Sequence, residues 1–287
     1  MITPKKLPLQ QRVLMVNPEY FDVEYAINAF MTDENGELKR VDKTLAKHQW
    51  KTLADIYRKL GLEVTILQAR PNLPDMVFAA NQSLPFWSLD TNVPAVVMSR
   101  MTSKFRKPEV EFFSEWYESE HYAIREINQD ELTFEGNGDA VVQGTRPVIW
   151  VANGPRTSAA VADELKRLTG YEVISLTLRH ELFYHLDTCF SILDSETVAF
   201  YPGAFDAADL EKIKKGFSRR IEIGLEECRD SFAGNCHSPD GKHVILQKGS
   251  PKFCGALKTH GFEPIEVDTS EFMKSGGSVF CMKMMAY

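Results

Sequence analysis

Five short motifs along the 287 residues contain side chains that could carry out catalysis. In chain order they are PDMVFAAN with Asp75 and Asn81, FEGNGDA with Glu135 and Asp139, FYHLDTC with His185 and Asp187, FAGNCH with Asn235, Cys236 and His237, and KSGGSVFC with Cys281. A cysteine thiolate is a strong nucleophile, which a nearby cation or histidine favours, and a histidine can transfer protons. Paired carboxylates match the fork of N–H groups on a planar guanidinium. Together these motifs predict thiol attack on a guanidinium carbon, provided that they meet in one pocket.

The elements that must position these motifs repeat along the chain. Helical periodicity followed by a strand-like run occurs five times, with starts about 45–65 residues apart, a period typical of a propeller or solenoid. The predicted helices cover residues 41–60, 108–119, 156–169, 206–216 and 251–261. The predicted strands that follow them are EVTIL, YAIREI, YEVISL, RRIEI and FEPIEV. An α/β fold is therefore expected.

A second apolar run follows each of these strands and completes a strand–strand–helix–strand unit. These runs are MVFAA (76–80), AVVQ (140–143), TCFSIL (188–193), HVILQ (243–247) and VFCMKM (279–284). The motifs lie at one phase of the repeat, so a closed ring of units would bring them to one end of its axis. A doubly wound sheet is the alternative for alternating helices and strands. Glycines in GNGD and SGGS predict close approach of the loop backbone to neighbouring groups.

The motifs together resemble the guanidino-group-modifying enzymes, which include arginine deiminase, dimethylarginine dimethylaminohydrolase and amidinotransferases. The resemblance rests on VLMVNPEYFDVEYAINAF, LPDMVFAANQ, FEGNGDA, FYHLDTCF and FMKSGGSVFC, and it spans residues 12 to 284. It implies a five-bladed α/β propeller and a single domain over residues 1–287. PEYFDVEYAIN, FAAN and YHLDTCF are most similar to the arginine dihydrolase group, which converts arginine to ornithine, ammonia and carbon dioxide.

The resemblance also implies roles for individual residues. Cys281 matches the nucleophile that forms a covalent thiouronium intermediate, and His185 matches the general acid and base. Glu135 matches the carboxylate that holds the guanidinium, and Asp139 supports its loop. Asp187 matches a partner of the guanidinium or of the histidine.

Further positions match substrate-binding residues of the family. Asn81 stands where deiminases and dimethylargininases have aspartate and where the dihydrolase group has asparagine. Arg100 and Arg156 match arginines that bind the substrate α-carboxylate, although surface ion pairs are the alternative for both. Asn28 matches a substrate contact in the opening loop. Asp75 is either a further substrate contact or a turn residue after Pro74.

Composition narrows the classes of partner and location. The formal net charge of −7 argues against nonspecific binding to nucleic acid or anionic membranes. No apolar run approaches the ~20 residues that span a bilayer, and the first residues lack the pattern of a signal peptide. Five widely spaced cysteines are typical of reduced thiols in the cytoplasm. No CxxC pair, HExxH helix or GxGxxG pattern is present, so we expect neither a metal nor another cofactor.

Several functions remain open from the sequence. The first is hydrolysis of arginine with a dihydrolase or deiminase outcome. Hydrolysis of dimethylarginine and transfer of an amidino group are alternatives within the same chemistry, because the sequence does not show whether water or an amine reaches the covalent intermediate. A propeller of this fold that binds a macromolecule without catalysis is the alternative from another class. The expected partner in every catalytic case is a small guanidino compound.

Overall fold

Helices and strands alternate along residues 6–287, which are the residues that this computed structural model describes. The α-helices are α1 Lys43–Lys59, α2 Glu109–Ser119, α3 Gly136–Asp139, α4 Val161–Thr169, α5 Ala207–Gly216, α6 Leu225–Ser231, α7 Pro251–Thr259 and α8 Ser270–Met273. The strands are β1 Arg12–Val16, β2 Glu63–Leu67, β3 Ser83–Trp87, β4 Pro94–Met98, β5 Ala123–Arg125, β6 Ala140–Val142, β7 Val148–Asn153, β8 Glu172–Thr177, β9 Phe190–Ile192, β10 Thr197–Phe200, β11 Arg219–Glu222, β12 His243–Gln247, β13 Glu263–Val267 and β14 Met284–Ala286. The predicted α/β class is confirmed.

These strands form five small sheets. Their strand orders are β14-β1-β2, β3-β4-β5, β6-β7-β8, β9-β10-β11 and β12-β13. In each three-stranded sheet the middle strand pairs antiparallel with one neighbour and parallel with the other. A helix lies between the two strands of every parallel pair, as parallel connections require. The pairing of β14 with β1 joins the two ends of the described chain.

The predicted repeat is accurate in four of its five helices and less accurate in its inner strands. The helix expected at 156–169 begins only at Val161, because residues 154–160 form a turn. MVFAA was expected to be a strand, but Pro74–Val77 is a 3₁₀ turn and the strand is Ser83–Trp87. Within VFCMKM only Met284 belongs to a strand. These runs are apolar because their residues are buried on all sides, although most of them do not form a strand.

Helix α1 shows how sequence and packing fix an element. Asp42 caps the helix, with Oδ1 accepting hydrogen bonds from the backbone N–H groups of Thr44 and Leu45, both at 3.0 Å. Its apolar face buries Trp50, Leu53 and Tyr57 against a core cluster that also contains Cys281. Within residues 6–287, none of the helices combines the length and the apolar character that crossing a membrane requires.

Candidate active site

Cys281 lies in a buried loop that a single asparagine holds in place. Asn235 accepts backbone N–H bonds through Oδ1 from Ser278 at 3.2 Å, Phe280 at 3.1 Å and Cys281 at 3.3 Å. Its Nδ2 donates to the Cys281 Sγ at 3.1 Å and to the Asp187 backbone oxygen at 2.9 Å. The sequence placed Asn235 in a motif but gave it no role. The structure makes it the link between the cysteine loop and the Asp187 turn.

The sulfur of Cys281 faces a carboxylate rather than a cation. Its Sγ donates to Asp187 Oδ2 at 3.1 Å. Burial, and then the neighbouring Asp187, raise the pKa of the Cys281 thiol well above its ordinary value. The other oxygen, Asp187 Oδ1, is buried without a hydrogen-bond partner among the described residues. A neutral thiol and a free carboxylate oxygen therefore lie side by side, ready to accept a cation with N–H groups.

His185 is paired with Glu135, and both side chains are buried. His185 Nε2 lies 2.8 Å from Glu135 Oε2. Burial opposes the charge on Glu135, but the hydrogen bond and charge of His185, together with Arg156, outweigh it and lower the pKa of Glu135 to about 2. Burial also opposes the imidazolium, but Asp139 and Glu135 outweigh it and raise the pKa of His185. An ionised Glu135 therefore holds a proton on Nε2 and leaves Nδ1 as the ring atom for proton transfer.

Asn81 occupies the other side of the same imidazole. Its Oδ1 accepts from Arg106 Nη1 at 2.9 Å, so its Nδ2 is directed at His185 Nδ1, 3.4 Å away. Arg106 is itself buried, and its guanidinium is bonded to both oxygens of the Glu109 carboxylate. An aspartate at position 81 would present a second acceptor to the histidine, whereas the asparagine presents a donor.

Asp139 supports the site from behind. Its Oδ2 accepts from the Thr157 hydroxyl at 2.6 Å, and its Oδ1 accepts from the Leu186 backbone N–H at 3.1 Å. Burial raises the pKa of Asp139 to about 7. These bonds connect the GNGD turn to the HLD turn, so Asp139 positions His185 and Asp187 without lining the cavity.

Three further predicted residues, Asp75, Asn28 and Arg156, close the cavity. Asp75 accepts hydroxyl bonds from Tyr25 and Ser275, both at 2.8 Å. Asn28 Nδ2 donates to the Ser275 backbone oxygen at 3.0 Å. Arg156 Nη2 donates to the Ile27 backbone oxygen at 2.6 Å, and Arg156 Nη1 lies 3.6 Å from Glu135 Oε1. The opening loop and the SGGS turn are therefore tied together over the site.

The glycines of the two turns allow the expected close approaches. A Cβ on Gly276, whose φ is +91°, would lie 2.6 Å from the Tyr184 hydroxyl oxygen. A Cβ on Gly138 would lie 2.3 Å from Asn81 Nδ2. A side chain at either position would collide with a residue that lines the cavity, so the interpretation of GNGD and SGGS is confirmed.

The closed cavity holds about 20 Å³ of free space, which is room for about one water molecule. Its polar and reactive wall residues include Asn28, Asp75, Asn81, Arg106, Arg156, Tyr184, His185 and Cys281. A substrate of the size of arginine enters only if the loop over the site moves. Tyr184, which donates a hydrogen bond to the Gly276 backbone oxygen, lies in this contact.

Arg100 is not brought to this cavity. Its guanidinium donates to the backbone oxygens of Ile127 at 3.2 Å and Leu132 at 3.3 Å, and to Asp130 Oδ1 at 3.0 Å. Through these bonds the Arg100 side chain stabilises the conformation of the 127–132 segment. Its predicted contact with a substrate carboxylate stays a prediction without support from this geometry.

Two residues of the site, Arg106 and Tyr184, were not predicted. Arg106 lies in KFRKPEVE, which reads as the exposed start of a helix. An Arg at i and a Glu at i+3, here Glu109, predict at most a surface ion pair. Because the start of α2 is buried in the fold, the Arg106–Glu109 pair is buried as well, and Arg106 holds the Asn81 amide. Tyr184 directly precedes His185, and nothing in its sequence context distinguishes it from a core aromatic.

A sequence profile of the family described as "N,N dimethylarginine dimethylhydrolase, eukaryotic" matches residues 17–286. The chain belongs to this family. The predicted resemblance to guanidino-group-modifying enzymes is therefore confirmed, and with it the expectation of a hydrolase for guanidino groups.

Two curated relatives differ in activity. The chain is 34% identical over 281 residues to the N(G),N(G)-dimethylarginine dimethylaminohydrolase of Mycobacterium tuberculosis, covering 96% of this chain and 86% of that protein. It is 33% identical over 274 residues to the bifunctional arginine dihydrolase/ornithine cyclodeaminase AgrE of Nostoc sp., covering 95% of this chain but only 37% of that protein. The chain thus spans little more than a third of this bifunctional relative.

Solved structures of the N-terminal domain of ArgZ, an arginine dihydrolase of cyanobacteria, have the same fold. The substrate-bound structure superposes with a TM-score of 0.87 at 31% identity, covering 96% of this chain and 97% of that one. Another structure of that domain contains a covalently bound reaction intermediate, with a TM-score of 0.86.

A metal centre finds no support in the geometry. Within residues 6–287 no three His, Cys, Asp or Glu side chains are grouped as metal ligands. Cys236 lies in the core, and His237 Nδ1 lies 3.0 Å from the Tyr57 hydroxyl oxygen. All five cysteines are free.

Proposed function

We propose that this protein hydrolyses arginine through a covalent intermediate on Cys281, in two rounds that yield ornithine, carbon dioxide and two ammonia. The observation that carries the proposal is the paired geometry of Cys281, which lines the cavity, and Asp187, whose second oxygen is buried without a partner behind the thiol. A guanidinium N–H supplies the missing hydrogen bond, and its positive charge lowers the pKa of the adjacent thiol. Substrate binding then generates the thiolate that attacks it.

The steps follow from the residues around the cavity. The Cys281 sulfur bonds to the guanidinium carbon, and His185 protonates the departing nitrogen, which leaves as ammonia. His185 then takes a proton from water, which attacks the thiouronium carbon and releases the thiolate. The product is a neutral ureido group. In a second passage through the same steps the other terminal nitrogen leaves as ammonia, and water releases a carbamate on the δ-nitrogen, which loses carbon dioxide to give ornithine. Glu135 and Arg156 are proposed to hold the cation and the α-carboxylate.

Asn81 favours two rounds over one. A ureido group offers a carbonyl oxygen as well as N–H groups, and an amide side chain can serve both a cation and this neutral group through its acceptor and its donors, whereas an ionised carboxylate offers acceptors alone. Arg106 fixes the amide orientation, because its Nη1 donates to Asn81 Oδ1 at 2.9 Å. The covalent intermediate of the ArgZ domain supports the same route.

Product analysis tests this proposal. Incubation with arginine is expected to release two ammonia per arginine and to accumulate ornithine. Cys281→Ser should bind arginine without turnover, whereas Cys254→Ser, a thiol remote from the cavity, should retain activity. Citrulline as the sole product would contradict the two-round mechanism. Dimethylamine released from dimethylarginine, with arginine left intact, would instead establish the activity named for the mycobacterial relative.

The arrangement of the five sheets supports one further structural proposal. We infer that they close into a five-bladed ring around the site, because the sheets follow one another in chain order and β14 pairs with β1. A single domain over residues 1–287 and a cytoplasmic location stay predictions.

A further inference from the structure

Lys283, two residues after Cys281, is a buried cation without an ion-pair partner. Its side chain is 1% exposed, and its Nζ lies 3.3 Å from the centroid of the Phe280 ring. Among residues 6–287 the Phe280 ring is the close partner of Nζ, which forms no ion pair and no hydrogen bond there. Burial lowers the pKa of Lys283 to about 7, although Asp187 and Cys281 act in the opposite direction. Nζ is not one of the fully enclosed unpartnered polar atoms, so it reaches the adjoining cavity, where a bound anion would stabilise its charge.

The ammonium lines a second cavity of about 210 Å³. This cavity shares no lining residue with the closed cavity that contains Cys281. It is therefore a separate compartment, although Lys283 is electrostatically linked to Asp187 and Cys281.

Two further polar groups line the same wall. Ser238 Oγ is buried without a partner among the described residues. His237 is held by Tyr57, whose hydroxyl lies 3.0 Å from Nδ1. Burial, and then Lys283, lower the pKa of His237 well below its ordinary value, so the ring is neutral. When the Tyr57 hydroxyl donates to Nδ1, the proton of the neutral ring is on Nε2 and His237 becomes a donor.

The rest of the wall is mostly apolar. It includes Val141, Ile192, Leu193, Phe280 and Met285. Two acids also line the cavity, but each already has a cationic or potentially cationic partner. Asp194 Oδ2 lies 2.6 Å from Arg219 Nη2, and Asp240 Oδ2 lies 2.6 Å from His243 Nδ1. A ligand that fits has one negative head and an aliphatic body.

We propose that this second cavity binds a short aliphatic monocarboxylate, with the carboxylate on Lys283, His237 and Ser238 and the alkyl chain against the apolar wall. Because the cavity is small and offers a single unpaired cation, a singly charged ligand fits it better than a multiply charged one. The proposal is independent of the reaction at Cys281, because it concerns binding alone.

Titration calorimetry with acetate, butyrate and hexanoate at pH 6, where Lys283 is charged, tests this site. Affinity should rise about fourfold per added methylene as the chain covers apolar wall. Lys283→Met should abolish binding, and Lys242→Met, at an exposed lysine, should leave it unchanged. Val141→Phe occupies part of the cavity while Lys283 is kept, so it should also abolish binding if Lys283→Met does not fold.

Three outcomes would overturn the proposal. The first is a lack of binding to folded wild-type protein for all three carboxylates. The second is binding that survives both Lys283→Met and Val141→Phe but is lost in Arg156→Met, which would assign the carboxylate to the closed cavity. Retained affinity with no dependence on chain length would contradict the role of the apolar wall.

Discussion

Gly138→Ala is a small change that tests whether the Asn81 amide must keep its position next to the His185 imidazole. Gly138 lies in the short helix α3, and its φ lies outside the left-handed region, so alanine is tolerated by the backbone. The added Cβ would lie 2.3 Å from Asn81 Nδ2 and 3.6 Å from His185 Cγ. The perturbation is therefore directed at the amide and spares the imidazole.

The size of the effect follows from these distances. An ordinary carbon contact begins at 3.4 Å, so Asn81 Nδ2 must retreat by about 1.1 Å. Arg106 holds the amide oxygen at 2.9 Å, so the side chain cannot move without losing that bond or turning away from His185. A displacement of about 1 Å in a catalytic constellation costs on the order of 10²-fold in rate. We expect kcat/KM for arginine to fall by about that factor.

The assay is ammonia release under initial-rate conditions, with urea unfolding measured in parallel. Gly255→Ala is the matched control, because Gly255 lies in helix α7 and an added Cβ there meets no atom within 4 Å. That variant should keep full activity and gain roughly 0.5–1 kcal/mol of stability. If Gly138→Ala folds and keeps the wild-type kcat/KM, the position of Asn81 does not control turnover and our reasoning about the amide is wrong.

Three further outcomes are expected. His185→Ala should lose roughly 10²–10⁴-fold in kcat, measured with arginine, because proton transfer to the leaving nitrogen is lost. The pKa of Glu135 is lowered from 4.5 to about 2 in the folded protein, so its stabilising contribution is present above pH 4.5 and is lost as the pH falls. The difference in the free energy of unfolding between wild type and Glu135→Gln, measured in urea, should therefore shrink by about 2 kcal/mol between pH 6 and pH 3. A difference that stays constant over this range would contradict the pairing of Glu135 with His185. Arg106→Met should cost about 3–5 kcal/mol in urea unfolding because it leaves Glu109 buried and uncompensated, and Arg106→Met with Glu109→Leu should recover most of that loss.

The sequence predicted the repeating elements because periodicity survives in a single chain. Helices α1, α2, α5 and α7 agree with the apolar spacing, and strands such as Glu63–Leu67 follow them at the expected places. MVFAA failed as a strand because a buried turn and a buried strand have the same apolar composition. The segments that pack around such a run decide whether it forms a turn or a strand.

The site was predictable in its reactive groups but not in its supports. Cys281, His185 and Asn81 belong to distinctive motifs and line the closed cavity together. Arg106 escaped because a charged helix start is normally solvated, and its function depends on burial that comes from other elements. The orientation of Arg100 depends on the loop conformation, which no pattern of residue types specifies.

The charge state of the thiol connects the chemistry to the closed shape of the site. Ionisation of a buried thiol beside Asp187 is unfavourable, because the thiolate would meet a carboxylate at 3.1 Å. A guanidinium between the two groups reverses this balance, since it neutralises the carboxylate and favours the thiolate at once. We therefore expect Cys281 to react only when a substrate is bound and to resist alkylation and oxidation in the empty protein. We expect iodoacetamide to label Cys281 slowly in the empty protein. Small guanidinium compounds should accelerate this labelling, although they block part of the cavity. Labelling that is fast in the empty protein would show that the thiolate forms without a bound cation and would remove this argument.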